Sequence, residues 1–423
     1  MSFAPKVEQV GPLKVILVKD DRESVMVQAL VGTGSREETD DLAGSAHFLE
    51  HFVFKGTKKY PVEIGAYVDG FGGAIDAYTS HESISFSVKL TSEKLKTAVD
   101  LVGQLVGEPL LPAKLISREK KIICEEIKFR NDDPHTRAYR GMWEQMYRGS
   151  NLGRPIAGSF ATVEAVTAAR LHDHMERWFV PENTIIGVLG NWKSETEVLK
   201  LISRSFGTLI ERGKTKLIKD KYVPVEQKKP RIELVSRKSM AQTTVFMGYR
   251  SFGVGQPQMM ARILSNIILG GGWISRLLQE IREKRGLAYG INSSLDVMSD
   301  TGAVVIGAGL PKDKLEEAVK LIWEIIYGLS GSGKWGLKKK DVELAKDCYL
   351  GRLSLKYDSP ERVLDTALYD LMYEGKIYSV EELKKMAKET SLSQMKRVCG
   401  EIFVPDHLNM AVVGDYDKLP FKL

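Results

Sequence analysis

The chain repeats itself once, and that repetition limits what it can fold into more than any other feature. Phe179–Trp192 reads FVPENTIIGVLGNW, and Phe403–Tyr416 reads FVPDHLNMAVVGDY; they align without a gap at an offset of 224. Leu90–Val102 matches Leu310–Ile322 at 220, and Asp133-Pro134 with Met146-Tyr147 matches Ser359-Pro360 with Met372-Tyr373 at 226. A shared order with a slowly drifting offset predicts two copies of one α/β unit. The basic, proline-containing stretch Glu211–Lys229 reads as the linker, so the copies run from 1 to 215 and from 230 to 423, with 216–229 between them. The chain has 423 residues, too many for one ordinary core, which agrees with at least two domains.

Within the first copy the elements follow from periodicity. Leu13–Val18 and Ser24–Val31 are β-rich runs, and Gly32–Glu38 is a loop. Asp40 and Asp41 are placed to cap a helix over the next residues. Ala74–Val88 alternates polar and apolar residues like a strand. A helix with an apolar stripe begins at Thr91/Ser92 and is broken by Pro109 and Pro112, and another runs from about Leu115 to Arg130.

The chemistry concentrates in Gly44–Thr57, GSAHFLEHFVFKGT. His47, Glu50 and His51 stand at i, i+3 and i+4, so on a helix two imidazoles and a carboxylate share one face. Two such histidines can bind one zinc ion, with the carboxylate taking a proton from the bound water; the order is H-x-x-E-H. A helix with two solvated histidines and a surface glutamate satisfies the same spacing. Yet Phe48, Leu49, Phe52, Val53 and Phe54 crowd the trio, which favours a mostly buried helix whose ionisable groups need partners. A third protein ligand must come from elsewhere. Glu126, on the Leu115–Arg130 helix, is the candidate, with Glu119 two turns away on the same face to support the site. Glu125 points about 100° away from that face.

The second copy lacks this set. Where the first has LEHFVFKGT the second has LSNIILGGG (Leu264–Gly272), and the positions of His51 and Glu126 become Asn266 and Arg352. The run Gly270–Gly272 is no phosphate loop, because no GK[ST] follows and Trp273 sits where a cradle needs small residues.

Composition excludes other classes. The net charge of +6 comes from interspersed signs with no aromatic–basic repeat, so nucleic acid is not expected as a partner. No apolar run reaches about 18 residues, so no membrane span is expected. The first residues carry no signal-peptide pattern, and Cys124, Cys348 and Cys399 are odd in number with no CxxC; the expectation is a reduced, cytoplasmic protein.

HFLEHFVFKGT, EKKIICEEIKFRNDDP and the two-copy layout together resemble the pitrilysin/insulysin superfamily of inverted-motif zinc peptidases, in its branch related to mitochondrial processing peptidase. The resemblance covers nearly the whole chain. It implies an α/β (α+β) fold of two homologous domains, each a mostly antiparallel sheet covered by helices, together one half of a clamshell. It implies one Zn2+ per chain on His47, His51 and Glu126, with Glu50 as general base and Glu119 supporting the metal site from behind the ligands. Arg282 and Tyr289 match the family's Arg–Tyr pair, which acts on substrate from the second half. The activity implied is endopeptidase hydrolysis of unfolded peptides, with a non-catalytic subunit or a narrow precursor-processing peptidase as alternatives. A homodimer is the natural assembly, and a heterodimer with a zinc-less relative is the other. One departure stands in the strand beside the site: Asp76-Ala77 replaces the family's usual Asn-Ala. Both residues lie on the strand expected to pair with substrate, and Asp76 would add negative charge there.

Overall fold

The computed structural model describes residues 4–213 and 217–421. The expected boundary at 215 and the first linker residue, 216, lie outside them. The chain forms two compact units, and neither is continuous in sequence. The first comprises Met1–Lys128, Arg154–Asp220 and Leu355–Ile377; the second comprises Phe129–Gly153, Lys221–Ser354 and Tyr378–Leu423.

The first unit is built on a six-stranded sheet. Its strands are β1 (Lys6–Val10), β2 (Leu13–Lys19), β3 (Ser24–Val31), β4 (Ala74–Thr79), β5 (Ile84–Thr91) and β6 (Thr184–Gly190). Their order is β1-β2-β6-β3-β5-β4. Only β2–β6 pair parallel. The central strands β3 and β6 are buried on both faces, which is why they read as near-continuous apolar runs. One face is covered by α1 (Ser45–Phe52), α2 (Ile64–Asp69), α3 (Leu95–Gly107) and α4 (Ala113–Asp132). Phe48, Phe52, Val68, Leu101, Leu105, Ile123 and Ile127 from these helices share a core with Val15, Val27 and Val88 of the strands. On the other face Ile16, Val18, Leu30, Ile185 and Leu189 pack against Leu364, Leu368 and Leu371 of the helix Pro360–Tyr373. That helix comes from the second half of the chain.

The second unit repeats the plan. Its strands are β7 (Arg231–Ser236), β8 (Gln242–Phe252), β9 (Gly290–Val297), β10 (Thr301–Pro311) and β11 (Asn409–Gly414), in the order β7-β11-β8-β10-β9. Here β7–β11 is the parallel pair, as β2–β6 is in the first sheet, and the rest are antiparallel. Strand for strand this is β2-β6-β3-β5-β4. The helix Met259–Leu269 stands where α1 stands, and Lys339–Tyr357 where α4 stands. The opposite face is covered by α5 (Pro134–Met146), whose Met142, Trp143 and Met146 meet Phe246, Val305 and Val413. α5 comes from the first half, so each copy of the repeat gives one helix to the other copy's sheet.

Two local expectations change. Ala74–Val88 is a hairpin, β4–turn–β5, and not one strand. Ser80 and Ser83 close the turn, Ser80 N donating to Ser83 O at 2.8 Å with their hydroxyls 2.9 Å apart. The polar/apolar alternation runs straight through this serine turn, so periodicity alone cannot see it. Asp40 and Asp41 do not cap α1. They lie in a separate 3-10 turn, Asp40–Leu42, and the N-cap of α1 is Gly44 at φ 95°. Among the described residues no helix is long and apolar enough to cross a membrane.

Candidate metal centre

α1 is only eight residues long, too short to hold itself together by propensity. Its start is fixed from outside by a buried carboxylate. Glu38 accepts hydrogen bonds from Gly44 N at 2.7 Å and Ala46 N at 2.6 Å, two of the N–H groups a helix leaves unpaired at its N-terminus. Arg154 donates to the Glu38 carbonyl at 2.6 Å. Gly44 is required by its left-handed φ and by space, because a Cβ there would come 2.7 Å from Ala157 O.

On the helix thus fixed, His47 and His51 lie one turn apart with ring centroids 4.7 Å from each other. α4 crosses beside them and presents Glu119 and Glu126. Glu126 Oε1 is 3.6 Å from His47 Nε2, and Oε2 is 3.4 Å from His51 Nε2. The ligand atoms of His47, His51 and Glu126 all lie within 4.8 Å of one another. A tetrahedral zinc with bonds of about 2.0–2.1 Å holds its ligand atoms about 3.3 Å apart, and the two separations between Glu126 and the histidines are close to that.

The electrostatics agree. Glu119 Oε1 lies 3.0 Å from His51 Nδ1, which fixes a proton there and leaves Nε2 as the ring atom that faces Glu126. Burial opposes a charged imidazole at His51, but Glu119 and Glu126 outweigh it and push its pKa up to about 9. Burial likewise disfavours the Glu119 anion, yet the bond to His51 and the Lys55 charge hold its pKa below the usual range. Lys55 Nζ is 3.6 Å from Glu119 Oε2. Two carboxylates gathered around two imidazoles make a cation-binding donor set, and its chemistry fits zinc. Among the described residues His47 Nδ1 is buried with no hydrogen-bond partner.

Glu50 stands on the same face of α1, half-buried, with Oε2 accepting from Thr79 Oγ1 at 2.6 Å. Glu125, the residue beside the proposed ligand, is exposed and paired with Lys128 at 2.6 Å. The structure therefore brings His47, Glu50, His51, Glu119 and Glu126 together. Asp76 and Ala77 lie on β4, the edge strand of the first sheet. Ala77 packs toward the core beneath α1, whereas Asp76 is exposed on the opposite face of the strand. Asp76 thus adds its charge to the sheet face away from the histidines, a consequence of strand alternation. Arg282 and Tyr289 belong to the second unit. The Arg282 guanidinium lies 5.4 Å from the Trp273 ring, and Tyr289 is 80% exposed just before β9.

The second unit's counterparts of the ligands form ordinary hydrogen bonds. Asn266 Oδ1 accepts from Ser293 Oγ at 2.6 Å, and Arg352 donates to Gly271 O at 2.6 Å. Three residues of the first site escape sequence reading: Glu38, Lys55 and Thr79. Each acts across a loop or strand, where spacing carries no signal.

Comparison with known proteins decides the family. Residues 14–159 match the model described as Insulinase (Peptidase family M16), and residues 165–347 match Peptidase M16 inactive domain. The chain belongs to peptidase family M16. An uncharacterised zinc protease of Mycobacterium tuberculosis is 31% identical over 395 residues, covering 93% of this chain and 89% of that protein. YmxG of Bacillus subtilis, also called an uncharacterised zinc protease, is 27% identical over 94% of both. Among solved structures, a protease from Helicobacter pylori superposes with a TM-score of 0.87 at 21% identity, over 97% of this chain and 99% of that one. A Pseudomonas fluorescens structure titled peptidase M16 inactive domain gives 0.88 at 20% identity, over 98% of each. These last two establish the M16 fold, with its two homologous domains. The "inactive" model falls on the part of the chain where Asn266 stands at the position of His51.

Proposed function

We propose that this M16 chain is a zinc-dependent endopeptidase that hydrolyses peptide bonds in unfolded peptides. The observation that carries the reading is the convergence of His47, His51 and Glu126 at ligand spacing with the Glu50 carboxylate beside them. Zinc held there supplies a water acidified toward a pKa of about 7 and a Lewis acid for the scissile carbonyl. Glu50, held by one oxygen and open at the other, is placed to act as general base toward the attacking water and would pass the proton on to the leaving amine. Glu119, backed by Lys55, holds His51 Nδ1–H, so that Nε2 is the atom that would give up its proton to a metal. The exposed edge of β4 receives the substrate as an added strand; main-chain pairing tolerates many sequences, which favours broad specificity. Arg282 and Tyr289, by their match to the family's pair, stabilise the carbonyl oxygen as it gains charge. One Zn2+ per chain, a homodimer and a cytoplasmic location complete the proposal.

The alternative is a non-catalytic subunit, since the fold also occurs in a chain of a larger complex. A structure titled Complex III2 from Candida albicans shares the fold at a TM-score of 0.80 and 15% identity, over 97% of this chain and 96% of that one. Cleavage of an internally quenched unstructured peptide, with and without chelator, by wild type and Glu50→Gln separates the readings. Chelator-sensitive turnover that Glu50→Gln loses supports the peptidase; equal turnover in the two proteins removes it.

A further inference from the structure

The base proposed above has a partner that no motif announces. Thr79 is the last residue of β4, and its hydroxyl donates to Glu50 Oε2 at 2.6 Å. Glu50 Oε1 accepts no hydrogen bond among the described residues. The carboxylate is thus held by one oxygen and open at the other. Thr79 is itself firmly placed. Its strand neighbour Tyr78, pointing to the opposite face, is 2.6 Å from the Tyr369 hydroxyl. Beyond it, Ser80 O and His81 O accept from Ser35 N at 3.3 Å and Arg36 N at 2.8 Å, which pins the turn that follows. Without such an anchor a glutamate carboxylate turns almost freely about its last torsion, which is broad and two-fold.

We propose that Thr79 is a positioning residue: it fixes the Glu50 carboxylate and ties it to β4, the strand on whose free edge an extended peptide would pair. This rests on reading Glu50 as the base. The same strand then sets the height of the bound peptide and the aim of the base, so the two stay in register when substrate enters. A loss of aim costs turnover and leaves binding of the peptide backbone unchanged.

The test uses the full zinc-loaded chain and the quenched unstructured peptide. Thr79→Val, which keeps the shape and removes the donor, should lower kcat about 10–100-fold with KM within about twofold. Zinc content and melting temperature should stay at wild-type values. Thr79→Ser, which restores the hydroxyl, should recover kcat to within about threefold of wild type. In the Glu50→Gln background Thr79→Val should cost nothing further. Thr79→Ala replaces the valine variant if that one melts early. Wild-type kcat in Thr79→Val, or a Thr79→Ser as slow as Thr79→Val, overturns the proposal. Crystal structures of zinc-loaded wild type and Thr79→Val read the effect on Glu50 independently of turnover. Glu50 should hold one orientation in the first and lose it in the second; an unmoved Glu50 sinks the idea even if the peptidase reading stands. Conversely, equal turnover by wild type and Glu50→Gln defeats the peptidase reading, and the crystal comparison still decides what Thr79 does to Glu50.

Discussion

Glu119 shows how much of this site depends on residues that do not ligate. It is 3% exposed, and its carboxylate bonds His51 through one oxygen and lies near Lys55 with the other. Glu119→Gln removes the charge and should weaken zinc affinity about 10–100-fold, measured by chelator competition. Glu126→Gln, which neutralises the proposed third ligand, should leave zinc substoichiometric after the same purification. His51 makes a second, thermodynamic prediction. With its pKa raised to about 9 by Glu119 and Glu126 against the effect of burial, the metal-free protein holds a proton there at neutral pH. Zinc must displace it, so calorimetry at pH 7.5 in buffers of different ionisation enthalpy should show release of about one proton. The sign follows: the stabilisation His51 gives the metal-free fold is complete below about pH 6.5 and lost as pH rises through about 9.

At the scale of the element, α1 is a short helix held from its ends. Its N-terminal N–H groups belong to Glu38, and its entry angle is set by Gly44. Gly44→Ala has to adopt a φ of 95° and bring a Cβ within 2.7 Å of Ala157 O. The substitution should cost about 1–3 kcal/mol in denaturant unfolding. It should also loosen the metal site, because His47 lies in the first turn. Glu38→Leu leaves two buried donors unpaired and should destabilise by at least as much, at about 1–3 kcal/mol for each. The periodicity of Ser45–Phe52 is legible from sequence, since three apolar positions and the histidines fall on helical spacing. What starts the helix is not legible. Asp40 and Asp41 have the right chemistry at the right place in the chain, but a 3-10 turn carries them off, and a glutamate from the preceding loop takes the role.

On the scale of the whole molecule, the exchange of helices governs stability. The first sheet buries Ile16, Val18, Leu30, Ile185 and Leu189 under Leu364 and Leu368, which arrive from far along the chain. A protein cut after residue 229 lacks that cover and exposes a contiguous apolar face, so it should be insoluble or unfold at much lower denaturant than the full chain. Co-expression with residues 230–423 should rescue it. Leu368→Ala, in the second half of the sequence, should destabilise the fold by about 2–5 kcal/mol through the cavity it leaves against the first sheet. Acid stability is also a property of the assembled core. His174 is 4% exposed and 3.3 Å from Thr33 Oγ1, and burial pushes its pKa down to about 4. A depressed histidine favours the fold above the unfolded pKa of about 6.5 and withdraws that support as pH falls toward about 4. Urea midpoints should therefore drop between pH 7 and pH 5, with a shallower slope in His174→Gln.

The sequence by itself determined the duplication, the two sheets it implies, and the shared face of His47, Glu50 and His51. Those features come from backbone periods of 2 and 3.6 residues and from copied text, and both act over short stretches of chain. Tertiary structure alone decided that Glu126 meets the histidines, that Glu38 and Thr79 hold α1 and Glu50 in place, that Asp76 faces away from them, and that each half lends a helix to the other. Such meetings join residues tens to hundreds of positions apart, and what selects among them is the burial of particular apolar faces, which no local spacing encodes.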